Sequence, residues 1–214
     1  MPPPFAIAIS DLRLRAAVEE ALDARAQVHA ISTAAPTVLI ETNSLPYAYA
    51  AEFRVMRNGT LGIALDPNQS ATPCLDVLHE VGHYVDWALL PPPSVMSTAA
   101  QPPELTNWFA AVSASSAIRE MHRIRTNPTT VSVTLGDGTI VQLVEDAAIA
   151  EYALDPWEVF ARSYCQWIAL RSGNARLRAE LVRALQNHYP EQWRPDDFEP
   201  IARATDDLLG GATP

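Results

Sequence analysis

The residues best suited to chemistry are two histidines, His79 and His83, which stand four positions apart in the segment HEVGH with Glu80 between them. In an α-helix this spacing places both imidazoles on one face, one turn apart, where they can bind a single tetrahedral Zn²⁺ ion. Glu80 points to one side of that line and can reach a water molecule on the metal as a general base. The segment therefore predicts a zinc site that activates water.

Asp86 follows His83 by three positions on nearly the same helical face. It lies too far along the same rigid helix to be a third ligand. Two interpretations remain open: Asp86 accepts the N–H of a ligating imidazole and fixes its tautomer, or it is an ordinary polar residue of the helix.

The third ligand must come from another part of the chain, and Glu158 is the best candidate. It lies near the start of the apolar helical segment DPWEVFARSYCQWIAL, where an unpaired buried carboxylate would be costly unless a metal supplied its partner. The alternative is an ion pair with Arg162, four residues later. The less favoured candidates are the three other histidines and three nearby acids: His29, His122, His188, Glu145, Glu151 and Asp155.

The helix that carries the two histidines has clear boundaries. Thr72 can cap its start, Pro73 suits the first helical position, and the prolines at 91–93 end it. Gly82, in its middle, is unfavourable by helix propensity, which indicates that a neighbouring segment approaches closely beside the metal.

The other elements follow from periodicity and turn signals. The predicted helices span 10–28, 104–125, 155–172, 175–188 and 196–209, and a buried strand spans 37–42. Two hairpins are also predicted. The first has strands at 47–57 and 60–65 around Asn58-Gly59, and the second spans 131–144 with Gly136-Asp137-Gly138 at its turn. This pattern predicts an α+β fold, a small and mainly antiparallel sheet packed against helices, in one domain over 1–214. The metal-site core would span about 37–172, followed by C-terminal helices over 175–209.

Composition narrows the class of protein. The 214 residues are 48% hydrophobic and carry a formal charge of −10, and all 15 basic residues are arginine. Such acidity argues against nucleic acid as a partner, and the sequence contains no apolar run long enough for a membrane span. The N-terminus lacks the pattern of a standard signal peptide, and the two distant cysteines fit free thiols. We therefore expect a bacterial cytoplasmic protein. Secretion as an effector by another route stays open.

The segment HEVGHYVD followed by EVFAR resembles the zincin metallopeptidases, and among them the gluzincins. It is most similar to lethal-factor-like catalytic domains and to phage- and toxin-associated peptidase domains, over about residues 60–170. The resemblance implies a zincin-like fold with His79, His83 and Glu158 as Zn²⁺ ligands and Glu80 as the base. Ala161 would be the small residue that lets two helices pack closely.

The resemblance also implies a tyrosine that stabilises the oxyanion about two turns before the glutamate ligand. Tyr152 is the nearest match, although the segment YALDP interrupts the helix between it and Glu158. Tyr164 and Tyr84 are the alternatives. A substrate strand would lie along the segment 60–65, which fits a simple core strand equally well.

The expected activity is that of a zinc-dependent endopeptidase acting on a protein or peptide substrate, with no nucleic acid or membrane as partner. Two other interpretations stay open. One is a catalytically silent zincin-like binding or sensor module of a regulatory, phage or toxin system, and the other is a helix pair that binds no metal.

Overall fold

The computed structural model describes residues 4–46, 49–92, 95–134 and 138–210. Its strands are β1 Phe5–Ala8, β2 Val38–Thr42, β3 Ala51–Val55, β4 Leu61–Leu65, β5 Thr130–Thr134 and β6 Ile140–Val144. Its helices are α1 Leu12–Val28, α2 Pro73–Ala88, α3 Ser97–Ala100, α4 Thr106–Ala114, α5 Ser116–Thr126, α6 Ala147–Ala153, α7 Pro156–Arg171, α8 Ala175–Ala184 and α9 Pro195–Leu209. The α+β class is confirmed. No helix in these ranges is long and apolar enough to span a membrane.

The main sheet has the strand order β1-β2-β4-β3. β1 and β4 both pair with β2 in parallel, and only β3 runs antiparallel to its neighbour β4. The prediction of a mainly antiparallel sheet is therefore wrong for this sheet. Two parallel pairs account for the difference. β1 is a four-residue strand too short to be recognised, and α1 connects it to β2 by the crossover that a parallel pair requires. β2 also pairs in parallel with β4 rather than with its neighbour in the chain, β3.

Both hairpins are confirmed as antiparallel pairs, β3 with β4 and β5 with β6. Gly59 adopts the positive φ of 80° that the turn of the first hairpin requires. Part of the predicted second turn, Gly136 and Asp137, lies outside the described residues. Strands β5 and β6 form a separate two-stranded sheet.

The predicted helix over 104–125 is two helices, α4 and α5, which separate at Ser115. Its side-chain oxygen accepts a hydrogen bond from the amide of Ile118, and Asp197 of α9 accepts from the amides of Ser116 and Ala117. These acceptors satisfy the first amides of α5 and so favour a new helix start at this point.

The hydrophobic core lies between the main sheet and the pair α2–α7, with α1 packed against both helices. The predicted cap of α2 is only partly correct. Thr72 occupies the capping position, but its hydroxyl donates to Asp76, and Glu180 of α8 instead accepts from the amides of Cys74 and Leu75 at 3.0 Å each. The expectation of free thiols is confirmed, since Cys74 and Cys165 are both unpaired and buried.

Candidate metal centre

His79, His83 and Glu158 converge, the first two from α2 and the third from the first turn of α7. The Nε2 atoms of the two histidines are 3.1 Å apart, and Glu158 places one carboxylate oxygen 3.2 Å from His79 Nε2 and the other 3.4 Å from His83 Nε2. Ligands about 2.0–2.1 Å from a tetrahedral ion stand roughly 3.3 Å from one another, so these spacings match those of three metal ligands. A donor set of two imidazoles and a carboxylate fits a divalent ion such as zinc. Among the described residues, these three form the one group of His, Cys, Asp or Glu side chains that could hold a metal ion.

The charge state of Glu158 suits this role. Burial alone would raise the pKa of Glu158, but hydrogen bonds and charges from His79 and His83 outweigh that effect and hold the pKa well below its usual range. Glu158 is only 6% exposed, so its carboxylate is a buried anion whose partners are the two imidazoles. The alternative ion pair with Arg162 is not formed, because that side chain donates to the backbone carbonyls of Ala153, Glu158 and Glu191.

The closeness of α2 and α7 is what brings the ligands together. A Cβ atom built on Gly82 would lie 2.7 Å from Ala161 Cα, a distance that real Cβ atoms essentially never show, and 3.2 Å from Ala161 Cβ, which is tighter than most real contacts. The expectations for both residues are confirmed: Gly82 allows a backbone to approach beside the ligands, and Ala161 is the small residue at the crossing.

Gly82→Ala is expected to weaken metal binding by about tenfold or more and to destabilise the metal-free protein by about 1–3 kcal/mol. Alanine would stabilise an isolated helix by about 1 kcal/mol relative to glycine, so a net loss reports the clash at Ala161. Chelator competition measures the affinity, and urea unfolding in EDTA measures the stability.

Gly62→Ala is the control, because a Cβ atom there meets Leu39 O at an ordinary 3.6 Å. A Gly82→Ala protein as stable as wild type, with unchanged affinity, would contradict the role of the crossing.

Glu80 lies next to the ligands but is held by the sheet. Its Oε2 accepts the backbone N–H of Phe53 in β3 at 2.6 Å, and the residue is 6% exposed. Burial raises the pKa of Glu80, opposed by the charges of His79 and His83. The Phe53 amide therefore orients a carboxylate whose proton affinity is increased, as a general base requires.

Tyr152 is the tyrosine that the structure brings to the site. It lies on α6, is 48% exposed, and lines both cavities of the site together with Glu158. Burial of the ring and then the charge of Glu158 raise the pKa of the phenol, which keeps it protonated as a donor. The alternatives point elsewhere: Tyr164 contacts His29 Nδ1 at 3.0 Å, and Tyr84 donates to the carbonyl of Pro36.

Asp86 does not hydrogen-bond an imidazole, so that interpretation is wrong for this structure. Its carboxylate accepts hydrogen bonds from the amide and the hydroxyl of Thr98, and thereby links α2 to the start of α3. Nδ1 of His83 is buried and has no hydrogen-bond partner among the described residues.

The less favoured candidates do not join the ligand group. His188 contacts Glu145, which also pairs with Arg123, and His122 and Glu151 are exposed. Asp155 precedes α7, and its pKa is raised by burial and by the charge of Glu158.

Two cavities adjoin the ligand group, one on each side. We call the first, of about 240 Å³, the acidic cavity, and its lining includes Asp76, Asn187, Glu191 and Gln192 together with His79, Glu80 and Glu158. The second, of about 280 Å³, we call the aromatic cavity, and its lining includes Phe53, Met96 and Trp157 together with Glu80, His83 and Glu158. Tyr49, Ala51 and Tyr152 border both, so the two cavities form one cleft across the ligands.

Sequence reasoning missed several residues of this cleft. Tyr49, Met96 and Trp157 lie in loops or at helix starts and carry no motif. The Phe53 amide gives no sequence signal, since its contribution comes from the backbone. Asp76, one turn before His79 on α2, could have been found from helical spacing alone.

No protein-family model, curated protein or solved structure matches the chain. A functional assignment therefore depends on the geometry of the ligand group and its cleft.

Proposed function

We propose that this protein is a zinc-dependent endopeptidase. The observation that carries the proposal is the spacing of His79, His83 and Glu158 as three ligands, with Glu80 and Tyr152 beside them in an open cleft. Three protein ligands leave a fourth position of a tetrahedral ion for water or substrate, which distinguishes a catalytic zinc site from a closed structural one.

The peptide would bind along β3 rather than β4. The expectation that it lies beside residues 60–65 is wrong, because β4 is central, buried at every position and paired on both sides. β3 is an edge strand, and its register directs the backbone groups of Ala51, Phe53 and Val55 away from β4. The Phe53 N–H is already donated to Glu80, so a peptide at this edge would pair with the other outward groups, among them the Phe53 carbonyl and the backbone of Ala51. Ala51 and Phe53 also line the cleft, so such a peptide can pass the ligand group.

When bound, zinc lowers the pKa of a coordinated water and polarises a carbonyl. Glu80 then accepts the proton of the attacking water and returns it to the nitrogen of the leaving amine, so that the C–N bond breaks and an acid and an amine are released. Tyr152 donates its hydroxyl hydrogen to the carbonyl oxygen as negative charge develops there. The Phe53 amide keeps Glu80 directed into the cleft.

Tyr152→Phe is expected to lower kcat by about 10²-fold with little change in metal content, because it removes one oxyanion donor and no ligand. Tyr164→Phe is the matched control, since its hydroxyl contacts His29 outside the cleft, and its kcat should equal that of wild type. Steady-state cleavage of a fluorogenic peptide measures both. Equal kcat values for Tyr152→Phe and wild type would remove Tyr152 from the mechanism.

The function itself is tested by loading the purified protein with zinc and measuring both bound metal and peptide cleavage. One equivalent of tightly bound zinc with cleavage that EDTA abolishes is the expected result. Zinc bound without cleavage of a random peptide library would favour the silent binding or sensor module. Less than about half an equivalent would favour a helix pair without a metal.

A further inference from the structure

The acidic cavity contains carboxylates that lack a matching cation. Asp76 accepts hydrogen bonds from the neutral hydroxyls of Ser70 and Thr72, and burial raises its pKa to about 6. The carboxylate of Glu191 forms no hydrogen bond or ion pair within the described ranges. Arg162 offsets part of this charge, but it is 5% exposed and its guanidinium donates to backbone carbonyls.

Gln192 borders the same cavity and has an acceptor atom without a partner among the described residues. Oε1 of Gln192 is buried and has no hydrogen-bond partner in the part of the chain that the structure describes. An ammonium or guanidinium group offers only donors and carries a positive charge, so it would match the two carboxylates.

The size and walls of the cavity suit a long side chain. Its volume of about 240 Å³ is many times the space of about 10–15 Å³ that a single water molecule needs. Leu75, Ala153 and Ala184 supply apolar wall against which the stem of an arginine or lysine can pack while its charged end meets the acids.

The position of the acidic cavity along β3 indicates which residue of a bound peptide would reach it. Residues 49–51 border the acidic cavity, whereas Glu52 and Phe53, further along the chain, border only the aromatic cavity. Antiparallel pairing is slightly more stable per residue than parallel pairing, so a peptide is expected to run opposite to β3. It then passes the aromatic cavity first and the acidic cavity second.

We propose that the acidic cavity binds an arginine or lysine side chain of the substrate, at the residue directly after the cleaved bond. This inference rests on the proposed function, and it makes Asp76 and Glu191 specificity-determining residues. The residue before the bond would place an aromatic or large apolar side chain in the aromatic cavity.

The first experiment reads specificity from cleavage. A random peptide library is digested with the zinc-loaded protein, and the cut positions are mapped by mass spectrometry. Arginine and lysine are expected to be enriched about tenfold directly after the bond, and Asp76→Asn and Glu191→Gln should each reduce that enrichment several-fold. If Asp76→Asn fails to fold, Glu191→Gln alone tests the proposal. Glu104→Gln is the control, because Glu104 is exposed and borders neither cavity, and it should keep the wild-type cleavage pattern.

The second experiment does not depend on hydrolysis. Peptides from the same library are selected on immobilised, zinc-loaded Glu80→Gln protein, and arginine in the best binders is replaced with citrulline, which keeps the size and removes the charge. Binding about tenfold weaker for citrulline supports the proposal. Equal binding, no retained peptide, or enrichment that Glu191→Gln leaves unchanged overturns it, whereas failure of hydrolysis alone overturns only the proposed function.

Discussion

Glu80→Gln is expected to lower kcat/KM for peptide cleavage by about 10²–10⁴-fold while leaving the metal content at the wild-type level. Glutamine keeps the size of the side chain and can still accept the Phe53 amide, but it cannot take a proton from water. Metal analysis and a fluorogenic cleavage assay on the same sample separate the two effects.

Glu104→Gln is the control for this change, because it removes an exposed carboxylate that borders neither cavity of the cleft. Its activity should equal that of wild type. Cleavage at the wild-type rate by fully metal-loaded Glu80→Gln protein would show that Glu80 is not the base.

Glu158→Gln is expected to weaken zinc binding by more than about 100-fold, because a neutral amide replaces the only anionic ligand. The loss should also appear in thermal unfolding. An ion that binds only the folded state stabilises that state. EDTA should therefore lower the Tm of the zinc-loaded wild type and leave the Tm of Glu158→Gln unchanged.

Glu151→Gln is the matched control, since Glu151 is an exposed glutamate on the neighbouring helix α6. Its zinc affinity and its response to EDTA should equal those of wild type. A Glu158→Gln protein that binds zinc as tightly as wild type would place the third ligand elsewhere.

The parts of the site that could be predicted from the sequence are those that depend on helical spacing. His79, Glu80 and His83 share one helix, so their relative positions follow from the helix geometry. Glu158 could be proposed because a lone carboxylate in an apolar helix needs a partner, and Gly82 because it is unfavourable in a helix unless something approaches it.

The parts that could not be predicted depend on contacts between distant segments. The sequence carries no sign that Glu180 caps α2, 106 residues from Cys74 along the chain, or that Asp86 binds Thr98. The pairing of β2 with β4 makes β4 central and β3 the edge, and it depends on contacts between strands that are distant in the sequence rather than on the residues of any one strand. The sequence therefore predicts the hairpin but not which of its two strands is the edge of the sheet.

The close crossing at Gly82 and Ala161 has a consequence for how the proposed site would acquire an ion. The crossing is set by apolar packing of two sixteen-residue helices, so the ligand spacing exists before any ion arrives. Zinc fingers, by contrast, fold only as they bind the metal. Here the folded chain would exchange ions without unfolding. The availability of zinc, rather than synthesis or degradation of the chain, would then set the fraction of the protein that carries an ion.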